Sequence, residues 1–279
     1  MRNALSVDVE DWFQVGAFET VIDKADWDSL APRVERNTDA VLALFGESGV
    51  KATFFTLGWV AKRYPALIRR IVEQGHELAS HGWDHQRVFT MDAALFRADL
   101  SRARHTLEDA AGVAVTGYRA PSFSIDQRTP WAHAVLAEAG YAYSSSVAPL
   151  QHDHYGWPEA PRFAFRPLAD SDLVEVPVTV ADLAGHRLAT GGGFFRLFPA
   201  ALTNYAIRQV EGAGQPAIFY FHPWEIDPGQ PRVTNAPVKS RLRHYSRLGA
   251  MAGKLRTLIR RHDWGRMDAV VAAARPGIA

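Results

Sequence analysis

A chain of 279 residues, 47% of them hydrophobic, can bury a large core and fold as a single barrel-sized α/β domain. Its net charge of +1 gives no electrostatic case for nucleic acid as the main partner. Cysteine is absent, which excludes disulfides and thiolate metal sites, so a bound metal would need nitrogen and oxygen ligands.

The chain begins Met1-Arg2-Asn3-Ala4-Leu5-Ser6-Val7-Asp8, with an acid where a signal peptide would need apolar residues. No run approaches the length of a membrane span, and the expectation is a soluble, cytoplasmic protein. Short β-like runs then alternate with amphipathic helical stretches. Strands are expected at 4–9, 51–57, 77–80, 115–118, 141–144, 173–178 and 217–221. Helices are expected at 37–45, 66–74, 92–109, 129–138 and 199–211. Several of these stop at glycine (Gly49, Gly75, Gly112, Gly140, Gly214), as left-handed helix ends do.

Two segments break the alternation. Residues 146–172 form a long, proline-rich, aromatic loop with His152, His154, Tyr155, Trp157 and Phe163, expected to wall a binding groove. Residues 182–197 suggest an inserted hairpin, with Gly191-Gly192-Gly193 read as a tight turn because a phosphate-loop spacing is missing. After Pro231 the chain turns basic, from Lys239 to Arg261. A helical extension over 231–279 with a solvated charged face is expected, and contact with an anionic membrane surface is the lesser reading. The whole is one domain with its core over residues 4–230.

Asp8, His81, Arg119, Ser144 and His222 all fall at or just past a strand end, where α/β barrels build their sites. A single polar strand end merely meets solvent; five are harder to dismiss. His81 and His85, four residues apart after a short apolar run, can reach one metal ion. They need a carboxylate from elsewhere, and Val7-Asp8-Val9-Glu10-Asp11 offers three. Strand alternation keeps Asp8 and Glu10 on one face, so one can bind metal while the other takes a proton. His222, after the apolar strand 217–221, suits a general acid. Arg119 suits an anchor for a carboxylate base.

This ordered set resembles the polysaccharide deacetylases with the NodB-homology domain, carbohydrate esterase family four, and within them the subgroup associated with exosortase and exopolysaccharide loci. The resemblance spans residues 4–230 and implies a distorted (β/α)7 barrel. It implies Asp8 as the base, His81 and His85 as metal ligands, and Glu10 or Asp11 as the third ligand, with Glu10 favoured. The divalent metal would be Zn²⁺, with Co²⁺ or Ni²⁺ as substitutes. Arg119-Ala120-Pro121 matches the family's groove-wall motif, and His222-Pro223 its general acid. Trp12, Trp83, Tyr155, Trp157 and Trp224 are candidates to stack on sugar rings, with Pro121, Phe123, Trp83 and Trp224 as the substrate contacts.

Two departures stand out. Gly82 replaces the hydroxyl residue usual after the first His, and Ser144 stands where relatives place an aspartate at the fifth strand end. The implied reaction is metal-assisted removal of N-acetyl groups from hexosamines of an exopolysaccharide or its lipid-linked precursor. Asp8 would deprotonate the attacking water, a backbone N–H at Ser122 or Phe123 would help hold the oxyanion, and His222 would protonate the amine. Hydrolysis of another amide, or glycan binding with little catalysis (favoured by Ser144), are the alternatives.

Overall fold

The computed structural model describes residues 2–153, 155–183, 185–274 and 278. His154 therefore lies outside the described residues. The first strand, β1 (Asn3–Val9), is buried along its whole length. After a long loop come α1 (Val34–Ser48), β2 (Thr53–Thr56), α2 (Gly58–Arg63), α3 (Pro65–Glu73) and β3 (Glu77–Ser80). They are followed by α4 (Ala93–Ala111), β4 (Gly117–Tyr118), α5 (Ala132–Glu138), β5 (Tyr143–Ser144) and β6 (Val174–Glu175). The hairpin β7 (Val180–Leu183) and β8 (His186–Ala189) precedes α6 (Gly192–Leu197), α7 (Ala200–Gly212) and β9 (Ile218–Phe221). The chain closes with α8 (Val238–Tyr245), α9 (Leu248–Arg261), β10 (Trp264–Gly265) and α10 (Met267–Ala274).

Apart from the antiparallel β7–β8 hairpin, the named strands form one parallel sheet in the order β10-β1-β2-β3-β4-β5-β6, with β9 also paired to β1. The sheet curls into a distorted (β/α)7 barrel, the expected fold. Its two edges meet where Thr179 N–H donates to Ile218 O (3.1 Å) and Ile218 N–H to Thr179 Oγ1 (2.7 Å). Leu5, Val7 and Val9 of β1 pack outward with the helices. Alternation turns Ala4, Ser6 and Asp8 to the interior, and Glu10 follows on the same side. Glu10 lies one residue past β1, where its N–H bonds the Asp8 carbonyl (3.1 Å), and both acids reach the same cavity.

Four sequence expectations need correction. First, α1 starts three residues earlier than 37, because the Asp11 carboxylate accepts the N–H groups of Arg33 (2.7 Å) and Val34 (2.9 Å). A cap supplied from so far upstream leaves no local signal. Second, β4, β5 and β6 shrink to two residues each. Beyond β5 the Ser146 and Val147 N–H groups bond the Glu175 carboxylate instead of a ladder.

Third, the triple glycine is not a turn between strands. It opens α6 against Tyr220, where a Cβ on Gly191 would lie 2.7 Å from the Tyr220 carbonyl oxygen. Fourth, the described residues after 231 are not merely appended to the core. β10 pairs with β1 through Asn3 and Ala4, and Met251, Leu255, Leu258 and Ile259 of α9 join the main core. Among the described residues, no helix is long and apolar enough to cross a membrane.

Candidate active site

Glu10, His81 and His85 converge at the C-terminal ends of β1 and β3. One donor atom from each lies within 4.8 Å of the others. The chain bends sharply to bring both imidazoles inward: Gly82 has φ 75° and His85 φ 61°, a left-handed conformation that non-glycine residues adopt mainly at functional sites. Here lies the reason for Gly82. A Cβ at that position would sit 3.0 Å from Asp99 Oδ2, which accepts the Trp83 N–H.

The donor set fits a divalent ion. His81 Nδ1–H donates to the Arg119 carbonyl (2.8 Å), which leaves Nε2 unprotonated. Burial pushes the His81 pKa down to about 4, so the imidazole is neutral at neutral pH. Burial alone would raise the Glu10 pKa, but His85, His222 and His81 together hold its carboxyl below the usual range. Glu10 Oε1 accepts the Trp224 indole N–H at 3.1 Å. Oε2 is buried without a hydrogen bond, although His85 Nε2 lies 2.8 Å away. With the His81 donor also within 4.8 Å, the three atoms lie close enough for one cation to be shared among them. One carboxylate and two imidazoles leave further coordination positions open.

Asp11 does not join them. Its oxygens take the N–H groups of Trp12, Arg33 and Val34, so of the two acids considered as third ligand only Glu10 reaches the histidines. Burial raises the Asp11 pKa to about 6, against those hydrogen bonds.

Asp8 and His222 flank the cluster. Arg119, fully buried, donates from Nη1 to Asp8 Oδ1 (2.6 Å) and Ser6 Oγ (2.7 Å). Its remaining donors reach Ser145 O (3.1 Å) and Ser145 Oγ (3.0 Å), and Phe55 stacks on its plane. Asp8 Oδ2 is left toward His222, whose Nε2 lies 3.9 Å away and 3.6 Å from Glu10 Oε1. Burial opposes the charged form of His222, but Glu10, Glu225 and Asp8 outweigh it and lift the pKa to about 9. Glu225, which the sequence reading passed over, places Oε1 2.5 Å from His222 Nδ1 and receives Arg196 Nε on Oε2 at 2.7 Å. Its signal was its position three residues after His222.

Of the aromatic and proline candidates, Phe123 and Trp224 line the cavity over this cluster, as does Tyr155 of the long loop. Trp83 does not; its ring is sandwiched between Gly58 and the guanidinium of Arg102. Pro121 is buried behind the wall, with Ser122 taking the lining position. Trp12 is buried with its indole N–H on Ala31 O, and Trp157 packs against the main core. The Phe123 N–H is committed to Ala120 O (3.0 Å), so it is not a free oxyanion donor.

The cavity over the cluster measures about 490 Å³. A second, of about 400 Å³ beneath the loop after β1, shares Val15, Gly16, Glu19, His85 and Arg87 with it. Glu10, His81 and His85 all line the first, and His85 borders both.

Comparison with known proteins gives two family matches. Residues 25–144 match the polysaccharide deacetylase model, and residues 145–272 match a domain of unknown function (DUF3473). A chitin deacetylase of Pestalotiopsis sp is 31% identical over 121 residues, covering 42% of this chain and 40% of that protein. The Helicobacter pylori peptidoglycan deacetylase is 29% identical over 107 residues, covering 38% and 36%. The chain thus spans less than half the length of these relatives. Among solved structures, a proposed polysaccharide deacetylase from Mycobacterium smegmatis superposes with TM-score 0.62 at 22% identity, covering 100% of this chain and 92% of its own. The allantoinase PuuE gives 0.61 at 16% identity, covering 98% and 89%. At such identities these two likenesses speak for the barrel alone.

Proposed function

We propose, from the match of residues 25–144 to the polysaccharide deacetylase model, that the chain is a metal-dependent hydrolase removing N-acetyl groups from hexosamine units of a bacterial exopolysaccharide or its lipid-linked precursor. The observation that carries this reading is the buried Glu10 Oε2, without a hydrogen bond, facing His81 and His85 between an acid and a base. A divalent ion held by Glu10, His81 and His85 would supply Lewis acidity toward the acetyl carbonyl. Zn²⁺ suits this nitrogen–oxygen set, with Co²⁺ and Ni²⁺ as substitutes.

Asp8, oriented by Arg119 through Oδ1, removes a proton from the attacking water. The Ser122 backbone N–H, at the cavity wall, is the remaining candidate donor to the oxyanion. His222, held at Nδ1 by Glu225, is placed to deliver a proton from Nε2 to the departing amine. Trp224 and Phe123 offer apolar faces to sugar rings.

A cavity of about 490 Å³ has room for more than a small cyclic amide, which favours a glycan. A lipid-linked substrate gains support from α8, whose Lys239 and Arg243 line the cavity mouth. The same helix leaves Val238 62% and Leu242 64% exposed and carries no acid. Lys239 and Arg243 also meet Asp153 (2.6 and 3.3 Å), and the exposed apolar pair beside them suits contact with the inner face of an anionic membrane.

The test is acetate release from an N-acetylglucosamine oligomer by protein supplied with Zn²⁺, Co²⁺ or Ni²⁺, with and without anionic vesicles. Release with any of the metals is expected, with sedimentation on the vesicles. Glycan binding with no acetate under every metal would overturn the enzyme reading and leave a binding protein.

A further inference from the structure

Ser144 leaves the fifth strand without the carboxylate of the family pattern, yet His222 has one from elsewhere. Resting on the deacetylase reading above, we infer that Glu225 is the positioning residue of the general acid, and that Arg196 fixes Glu225 in turn. Glu225 Oε1 lies 2.5 Å from His222 Nδ1 and also accepts the His222 backbone N–H at 3.2 Å. Both contacts come from one buried carboxylate, so ring and backbone of the histidine are held together. Arg196 Nε takes the other oxygen, while its Nη1 donates to the carbonyls of His244 and Ser246 (2.8 Å each) and its Nη2 to that of Arg243 (3.0 Å). A fully buried guanidinium with all these partners has one orientation to adopt, and it passes that constraint to the carboxylate.

Ser144 has another use. Its hydroxyl bonds Ser146 Oγ (2.8 Å), which accepts the Ala120 N–H (2.9 Å), so this corner of the barrel holds the loop after β4. The stack of His222 on Trp224, and of Trp224 on His244, adds a second support from the same C-terminal region.

In the reaction the Nδ1 proton stays with Glu225 and the Nε2 proton leaves. As the C–N bond breaks, the nitrogen receives the Nε2 proton, and solvent later returns one to the neutral ring. An amide requires this transfer because an unprotonated amine anion is a poor leaving group. A nitrophenolate departs without it. Glu225 should therefore matter for amides and not for an activated ester.

Glu225→Gln and Glu225→Asp, each loaded with Zn²⁺, would be compared with the unaltered chain on an N-acetylglucosamine oligomer and on p-nitrophenyl acetate. For Glu225→Gln, kcat on the oligomer is expected to drop roughly 10²–10⁴-fold with KM unchanged, while ester hydrolysis stays within a few-fold. Glu225→Asp, which keeps the charge, should recover part of the oligomer activity. If Glu225→Gln does not fold, the amide-to-ester ratio of Glu225→Asp decides: a lowered ratio supports the role, and an unchanged one overturns it. Parallel loss of both activities in a folded variant, or full amide activity, also overturns it. An unaltered chain that hydrolyses the ester but frees no acetate from the oligomer would instead remove the deacetylase reading beneath it.

Discussion

Glu10 and Glu77 are the same residue type, buried in the same barrel at opposite ends, and they are treated in opposite ways. Glu77, at the start of β3, has every oxygen occupied: Tyr143 OH donates to Oε1 (2.7 Å), and Thr53 Oγ1 and the Asp268 N–H to Oε2. Burial and the nearby Asp268 raise its pKa to about 7 against those hydrogen bonds. Glu10 has only His85 close to one oxygen, at 2.8 Å and outside good hydrogen-bond geometry, and histidines hold its pKa low. The pair teaches how to separate a structural plug from a working group. A buried acid that is fully satisfied closes the floor of the barrel, and one left open at the strand ends awaits a ligand.

The contrast can be broken most forcefully at the open end. His81→Ala is expected to abolish metal retention and activity while the fold persists, whereas Asp8→Asn should keep the metal and lose roughly 10²–10⁴ in kcat. Metal analysis after dialysis, together with acetate release, reads both. Stoichiometric metal in His81→Ala, or undiminished kcat in Asp8→Asn, would contradict the division of roles.

At the closed end the effect is on stability. The folded Glu77 binds its proton more tightly than the unfolded one, so the unfolded chain loses protons first as pH rises. From pH 4.5 to 7 this group should lower the unfolding free energy by up to roughly 3 kcal/mol. Urea titrations across that range should show a shallower decline for Glu77→Gln than for the unaltered chain. Equal slopes would mean that Glu77 titrates normally.

The smallest effect is expected at Gly82. Gly82→Ser restores the family's hydroxyl residue but imposes a side chain at φ 75° against Asp99. A loss of roughly 1–2 kcal/mol in thermal or urea stability should follow, with metal affinity little changed. A stabilised variant would show that the loop relaxes freely.

Much of the open end was legible in the sequence. Asp8 and Glu10 share a strand face by a period of two, and the histidine spacing and strand-end positions needed no tertiary knowledge. Glu225 was harder, since Arg196 meets it across 29 residues and spends its other donors on backbone carbonyls, which carry no sequence signature. Trp83 misled for the converse reason. It lies between the two histidines, but its N–H bonds Asp99 and its ring turns to Arg102, away from the cavity. The role of residues 231–279 was hidden because a basic amphipathic helix looks alike whether it is appended to a core or packed into it.

The strand that carries Asp8 and leads into Glu10 is paired along one edge by strands far from it in sequence. Its partners β9 and β10 lie more than 200 residues downstream, with Ala4 opposite Ile218 and Asn3 opposite Trp264. During synthesis, β1 therefore waits with one edge unpaired until β9 and β10 have been made. Its catalytic geometry cannot be assembled piecemeal. A nascent chain stalled before β9 would expose an apolar strand edge, the kind of surface that chaperones shield and that aggregates if they do not.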